Sequence, residues 1–143
     1  MTDEQTRPDG YVRSDNRARL DFAAVHAALA ASYWSPGVAR ETVERAAAGS
    51  LAFGLYAPTG EQVGYARVVT DRATFAYLAD VYVLDAHRGR GLGRWLVEGV
   101  LAHPDLQGLR RWMLATRDAH GLYARLGFTP LPHPERFMQR TDP

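Results

Sequence analysis

The chain contains no cysteine and no lysine. The first absence excludes disulfides, thiolate metal sites and a cysteine nucleophile. The second makes all 17 of its Lys-plus-Arg positions arginine, beside many alanines, a compositional bias that carries no functional weight. An excess of charge is also missing: 17 basic against 16 acidic residues leave a formal net charge of +1, with no extended basic stripe for nucleic acid and no acidic surface. No apolar run approaches the roughly 20 residues of a membrane span, and the stretch MTDEQTRPDG is polar, without a signal-peptide pattern. No membrane partner is expected, and a cytoplasmic location is the default. No internal repeat or long linker interrupts the 143 residues, so one domain over 1–143 is expected, with 1–10 as a loose tail. Hydrophobic content of 46% and charged content of 23% suit a globular chain with a real core.

Periodicity gives an ordered set of elements. Tyr11–Val12 open a short strand, and LDFAAVHAALAASYW reads as a helix capped by Asp21, with Phe22, Val25 and Leu29 at helical spacing. SPG at 35–37 breaks it. A second helix runs over Ala39–Ala48 and stops at Gly49. Strands at 50–57 and 62–69 form a hairpin around PTG, and 74–84 is the longest strand. Leu92, Trp95, Leu96 and Val100 mark a helix closed by His103-Pro104. RWMLAT at 111–116 reads as a buried-type strand. A short helix capped by Asp118 runs to Leu126 with Gly127 after it, and FMQ at 137–139 is the last strand. The mixture predicts an α/β (α+β) fold, helices against a mainly antiparallel sheet, with the strands of the 75–116 unit paired in parallel or splayed.

The segment VYVLDAHRGRGLGRWLVEGVLAHP, 81–104, joins a strand to a helix through a glycine-rich, arginine-bearing turn. Such a turn presents unpaired backbone N–H groups and the positive end of a helix dipole. Gly91 and Gly93 let a ligand approach the backbone, and Arg88, Arg90 and Arg94 add cationic forks for phosphate oxygens. No Gly-Lys-Ser/Thr follows, so it is not a Walker A loop. Arg94 stands where the last glycine of a dinucleotide motif would be. The same features also serve an ordinary turn with solvated arginines.

Arg88-Gly89-Arg90-Gly91-Leu92-Gly93 resembles the R/Q-x-x-G-x-G/A acetyl-CoA signature of the GNAT superfamily of N-acyltransferases. Ala119-His120-Gly121-Leu122-Tyr123-Ala124-Arg125-Leu126-Gly127-Phe128 resembles that family's A-x-x-L-Y-x-x-L-G-F. Together with the strand before them, these cover about Phe75–Phe128. Ser32-Tyr33-Trp34-Ser35-Pro36-Gly37 and Thr116-Arg117-Asp118-Ala119-His120-Gly121-Leu122-Tyr123 are similar to segments of a group of small bacterial-type members. The resemblance implies acetyl-CoA as acyl donor, no metal, and a splayed parallel strand pair holding the cofactor. Backbone groups of Val81, Tyr82 and Val83 would pair with the pantetheine amides. Backbone N–H groups of Arg88, Gly89, Arg90, Gly91, Leu92 and Gly93, with Arg94, would hold the pyrophosphate. Thr116 stands where many relatives place Asn, Ala86 where a Pro is common, and Tyr123 on the tyrosine beside the CoA sulfur.

Acetyl transfer to an amine needs removal of a proton from a group of pKa about 10.4. It also needs a donor to the thioester oxyanion and a proton for the departing thiolate. A backbone N–H near Val81–Val83 suits the oxyanion, and the phenol of Tyr123 suits the thiolate, unless Tyr123 is only a core aromatic. Asp80, a carboxylate inside LADVYV, is the candidate base, or a structural acid paired with an arginine. Strand alternation places Tyr77, Ala79 and Val81 on one face and Leu78, Asp80 and Tyr82 on the other, so only one of Tyr77 and Asp80 would meet substrate. His120, a further candidate for proton transfer or substrate contact, shares a helix face with Tyr123, or is simply a helix-start histidine. Tyr33 and Trp34 would receive an amine by cation–π contact or pack in the core. Asp71 would attract a cationic substrate or serve its turn. The expected activity is N-acetyl transfer to a primary amine by direct attack in a ternary complex. The rival is an acyl-CoA-sensing module without turnover. Nucleic acid is not an expected partner, and a homodimer is the assembly many relatives adopt.

Overall fold

A computed structural model describes residues 2–142. Strands β1 (Glu4–Thr6) and β2 (Val12–Ser14) are followed by helices α1 (Phe22–Ala30) and α2 (Arg40–Ala48). Strands β3 (Leu51–Tyr56), β4 (Gln62–Thr70) and β5 (Phe75–Val83) come next, then α3 (Leu92–Leu101), β6 (Arg111–Leu114) and α4 (His120–Ala124). The six strands form one sheet in chain order. Every neighbour is antiparallel except β5 and β6, which run parallel. Helices cover both faces: Leu92, Leu96, Val97 and Val100 of α3 pack on one, and Val25, Leu29, Val43 and Ala47 of α1 and α2 on the other. Strand β3 is buried along its whole length because both faces are covered, which explains its unbroken apolar run.

Asp21 caps α1 as its position predicts, its carboxylate accepting from the Ala24 N–H at 3.2 Å. Three expectations need correction. Within the expected loose tail 1–10, whose Met1 lies outside the described residues, residues 4–10 are ordered: β1 pairs with β2 through a turn in which the Arg7 N–H donates to the Tyr11 carbonyl at 2.7 Å. Pro8-Asp9-Gly10 supplies that turn, with Gly10 at φ +95°. Asp118 does not cap the last helix. Its carboxylate pairs with Arg117 at 3.3 Å, while the Thr116 hydroxyl accepts from the Ala119 N–H at 3.0 Å, and the helix ends at Ala124. Residues 137–139 form no strand. Pro130, Pro132 and Pro134 deprive the approach of backbone donors, and Pro134–Arg136 turns in a 3₁₀ helix that leaves Met138 exposed.

Strand β5 holds the irregularity that matters for the site. Tyr65 of β4 faces Tyr82, but Arg67 faces Ala79, so Asp80 and Val81 together oppose Ala66. Asp80 occupies the bulge at φ +56°, a left-handed conformation uncommon for a residue other than glycine.

Candidate functional site

The parallel ladder between β5 and β6 covers only Phe75–Leu78 against Arg111–Leu114. Beyond Leu78 the strands part, and Ala79–Val83 keeps β4 on one side with no strand on the other. A cleft of about 820 Å³ fills that gap, bounded by Val81, Tyr82 and Val83, the glycine loop, Tyr123 of α4, and the Tyr33-Trp34 loop. A sheet edge opening into a groove is the geometry that accepts an extended amide chain.

At one end the chain turns through a 3₁₀ segment, Asp85–His87, into Gly91, the residue that caps α3 at φ +70°. A Cβ at Gly91 would meet nothing within 4 Å, so glycine is required by the backbone angle and not by a neighbour. No side chain caps α3, and Leu92, Gly93 and Arg94 of its first turn border the cleft, an arrangement that favours an anion. Arg88, Gly89, Leu92, Gly93 and Arg94 border this end. The Arg88 guanidinium is held meanwhile by its own strand end, donating to the Val83 carbonyl at 3.2 Å and pairing with Asp85 at 2.9 Å. Arg90 does not border the cleft. Its carbonyl accepts from Arg7 at 3.1 Å, and the Arg7 guanidinium also lies over the Trp95 ring, so the first hairpin braces the loop from behind.

Tyr123 sits at the far end, 8% exposed, and borders both the cleft and a second cavity of about 460 Å³. Burial, and secondarily the nearby Tyr33 hydroxyl, push its phenol above the ordinary tyrosine value, so it stays protonated and able to donate at neutral pH. The second cavity is lined by Tyr77, Asp80, Arg67, Trp34 and Thr116. Here the alternation argument fails for a physical reason. The bulge at Asp80 resets the strand, so Tyr77 and Asp80 border the same cavity, while Val81 and Val83 turn towards the α3 side. The Asp80 carboxylate accepts from Arg67 Nε at 2.8 Å and from Trp34 Nε1 at 3.0 Å. Arg67 also donates to the Ser50 hydroxyl at 3.1 Å.

Tyr33 and Trp34 cross between the splayed strands and are not core residues. Their rings meet edge to face at 5.1 Å. Trp34 is anchored to Asp80 on β5. The Tyr33 hydroxyl accepts from the Arg117 N–H at 3.0 Å beyond β6, with the Arg117 guanidinium 3.8 Å over the Tyr33 ring. His120 lies elsewhere: it borders a third cavity of about 680 Å³ with Met113, Phe128 and Leu131, and reaches Tyr123 only from that side. Asp71 is used by its turn, where the Thr74 hydroxyl and the N–H groups of Thr74, Ala73 and Phe75 hold its carboxyl well below the usual range. Sequence reasoning missed Arg67 and Arg117. Arg67 carried the same signal as Asp80, a lone charge inside an apolar strand, QVGYARVV. Arg117 had only its place before Asp118.

Residues 49–130 match the acetyltransferase (GNAT) domain family. A candidate acetyltransferase of Gibberella zeae is 35% identical over 84% of this chain and 82% of that protein. A crystal structure of a candidate GNAT acetyltransferase from Xanthomonas campestris superposes with a TM-score of 0.89 at 49% identity, covering 93% of this chain and 94% of that one. A Mycobacterium tuberculosis protein solved in complex with CoA shares the fold at a TM-score of 0.63 and 24% identity, over 79% of this chain and 70% of the other.

Proposed function

The chain belongs to the GNAT family of acetyltransferases, and from that footing we propose that it transfers an acetyl group from acetyl-CoA to a primary amine by direct attack in a ternary complex. One observation carries the reading: the strand edge left open by the parting of β5 and β6 leads from an uncapped, glycine-started helix at one end to a buried tyrosine at the other. That run suits a pyrophosphate, an amide-bearing arm and a thioester in this order. A protein of the same fold at 24% identity is solved in complex with CoA, which is in keeping with a CoA-type donor.

In this reading the N–H groups of the 88–93 loop, with Arg88 and Arg94, take the pyrophosphate, and Arg88 exchanges its hold on the Val83 carbonyl for the ligand. Backbone groups of Val81, Tyr82 and Val83 align the pantetheine arm, and one N–H there stabilises the oxyanion. Thr116 holds the start of α4 and so fixes Tyr123, in place of a direct contact with the arm. The amine enters from the cavity of Tyr77 and Asp80, and its nitrogen attacks the thioester carbonyl. As the carbon–sulfur bond breaks, the thiolate takes the Tyr123 proton. The proton lost by the amine passes to Asp80, directly or through water. No enzyme-bound acyl intermediate is needed.

The test is a melting-temperature series with acetyl-CoA, followed by thiol release on an amine panel. Ligand that binds only the folded state raises the midpoint by mass action, about 2.7 kcal/mol at one hundred times its Kd. A rise in wild type that disappears in Gly91→Glu and shrinks in Arg88→Ala is expected. No rise at millimolar acetyl-CoA would remove the cofactor site and the activity with it.

A further inference from the structure

Resting on that reading, we propose that the acceptor is a free α-amino acid, its ammonium taken by Asp80 and its carboxylate by Arg67. The two side chains pair at 2.8 Å, are only 18% and 13% exposed, and line the cavity beside Tyr123. Such a pair is not explained by stability, since partly buried ion pairs are on average no better than apolar side chains of the same volume. Asp80 adds a left-handed backbone conformation, which costs on the order of 1 kcal/mol and persists where something else requires it. What the pair provides is two opposite charges side by side at the wall of a cavity.

Charge matching decides between acceptor classes. A polyamine would find two carboxylates, Asp80 and Asp118, each already paired with an arginine, Arg67 and Arg117. A purely anionic acceptor would find Arg67 neutralised in the same way. A zwitterion meets both charges in kind, ammonium to carboxylate and carboxylate to guanidinium, and leaves no charge uncompensated. Arg67 has the capacity: Nε and Nη1 are bonded to Asp80 and Ser50, and a guanidinium carries five donors. The ammonium meets Asp80 at the entrance to the cofactor cleft, where Val81 and Tyr123 border both spaces. The rest of the wall sets Tyr77, Leu78, Leu114 and Trp34 beside Thr116 and an Asp118 paired with Arg117, which suits an uncharged side chain with apolar or aromatic surface.

The test follows thiol release from acetyl-CoA by the wild-type protein with L-phenylalanine, L-phenylalaninamide and phenethylamine, beside L-leucine and spermidine. These keep the amine while removing the carboxylate in steps. The amino acids should exceed the amide and the amine at least tenfold in kcat/KM. Arg67→Lys, which keeps the charge and loses the fork, should cut that preference by raising KM for the amino acid only. Turnover of the amide, phenethylamine or spermidine as good as that of the amino acids overturns the proposal and leaves acetyl transfer standing. Thiol release with none of them, with no thermal shift by acetyl-CoA, overturns both.

Discussion

The glycine-loop end of the cleft comes from one continuous stretch, Asp85–Arg94, while the cavity beside Tyr123 is gathered from the α1–α2 loop, β4, β5, the end of β6 and the approach to α4. The first end works through backbone: an uncapped helix start, a left-handed glycine and exposed arginines with weak ties. The second works through side chains that hold one another, with Arg67, Asp80 and Trp34 in one network and Tyr33 stacked under Arg117. A ligand can therefore take over the loop at little cost to the fold, whereas the wall of the Arg67–Asp80 cavity is part of what keeps the sheet and its covering loop together.

The largest expected effect separates the two ends by stability. Arg67→Met leaves the Asp80 carboxylate with only Trp34 as a side-chain donor in a largely buried place, and should lower the unfolding free energy by roughly 3 kcal/mol. Pairing it with Asp80→Asn should recover most of that loss, because no uncompensated charge then remains. Arg88→Ala, which removes a surface pair with Asp85, should stay within about 0.5 kcal/mol. Urea denaturation measures all three, and equal losses at Arg67 and Arg88 would contradict the distinction.

That difference also sets how much the sequence alone could tell. The glycine loop, the strand before it and the helix after it are consecutive residues with a periodicity and a turn chemistry of their own, so they were legible, as were α1 with its Asp21 cap and the β3–β4 hairpin. Asp80 was visible as an odd charge in an apolar strand, but its partner lay 13 residues earlier on the adjacent strand, and the register that joins them depends on a bulge that alternation cannot foresee. The same bulge is why Tyr77 and Asp80 share a cavity that a regular strand would have divided between its faces. The mostly polar stretch at the start gave no periodic signal, yet the Pro8-Asp9-Gly10 turn was there to read, and it pairs β1 with β2 and carries Arg7 to the loop. At the other end, three prolines outweighed the strand-like FMQ.

A smaller effect is expected at the point where the two spaces meet. Tyr123→Phe removes the proposed proton donor while keeping the ring that lies edge to face with Phe128 at 5.9 Å. Its kcat should fall about a hundredfold, within the range for general acids, with acetyl-CoA binding and the melting temperature nearly unchanged. Because burial raises the Tyr123 phenol, wild-type kcat should hold through neutral pH and decline only above about pH 10, a limb absent from the variant. Equal kcat in the two proteins would reduce Tyr123 to a packing residue and move proton donation to solvent.

A further small effect lies beneath the wall of the Arg67–Asp80 cavity, at Tyr65. It is fully buried between Val25, Leu29 and Ala52, near Arg67 and Asp80, and its hydroxyl has no hydrogen-bond partner among the described residues. An unpartnered buried hydroxyl costs about 1 kcal/mol, so Tyr65→Phe should stabilise the protein by about that amount. Burial also pushes its phenol up to about 12, against about 10 in the unfolded chain. The fold thus favours the neutral form: this contribution is complete below pH 10 and is lost as pH rises from 10 to 12. Tyr82, whose ring centroid is 6.3 Å from that of Tyr65, is raised in the same direction by burial and by Tyr65, and so steepens the same window. Denaturation curves at pH 7, 10 and 11.5 should show Tyr65→Phe gaining most over wild type at the highest pH. A gain that stays constant across the series would mean that the Tyr65 phenol titrates alike in the folded and unfolded states, and that the alkaline loss at this end of the molecule belongs to Tyr82 alone.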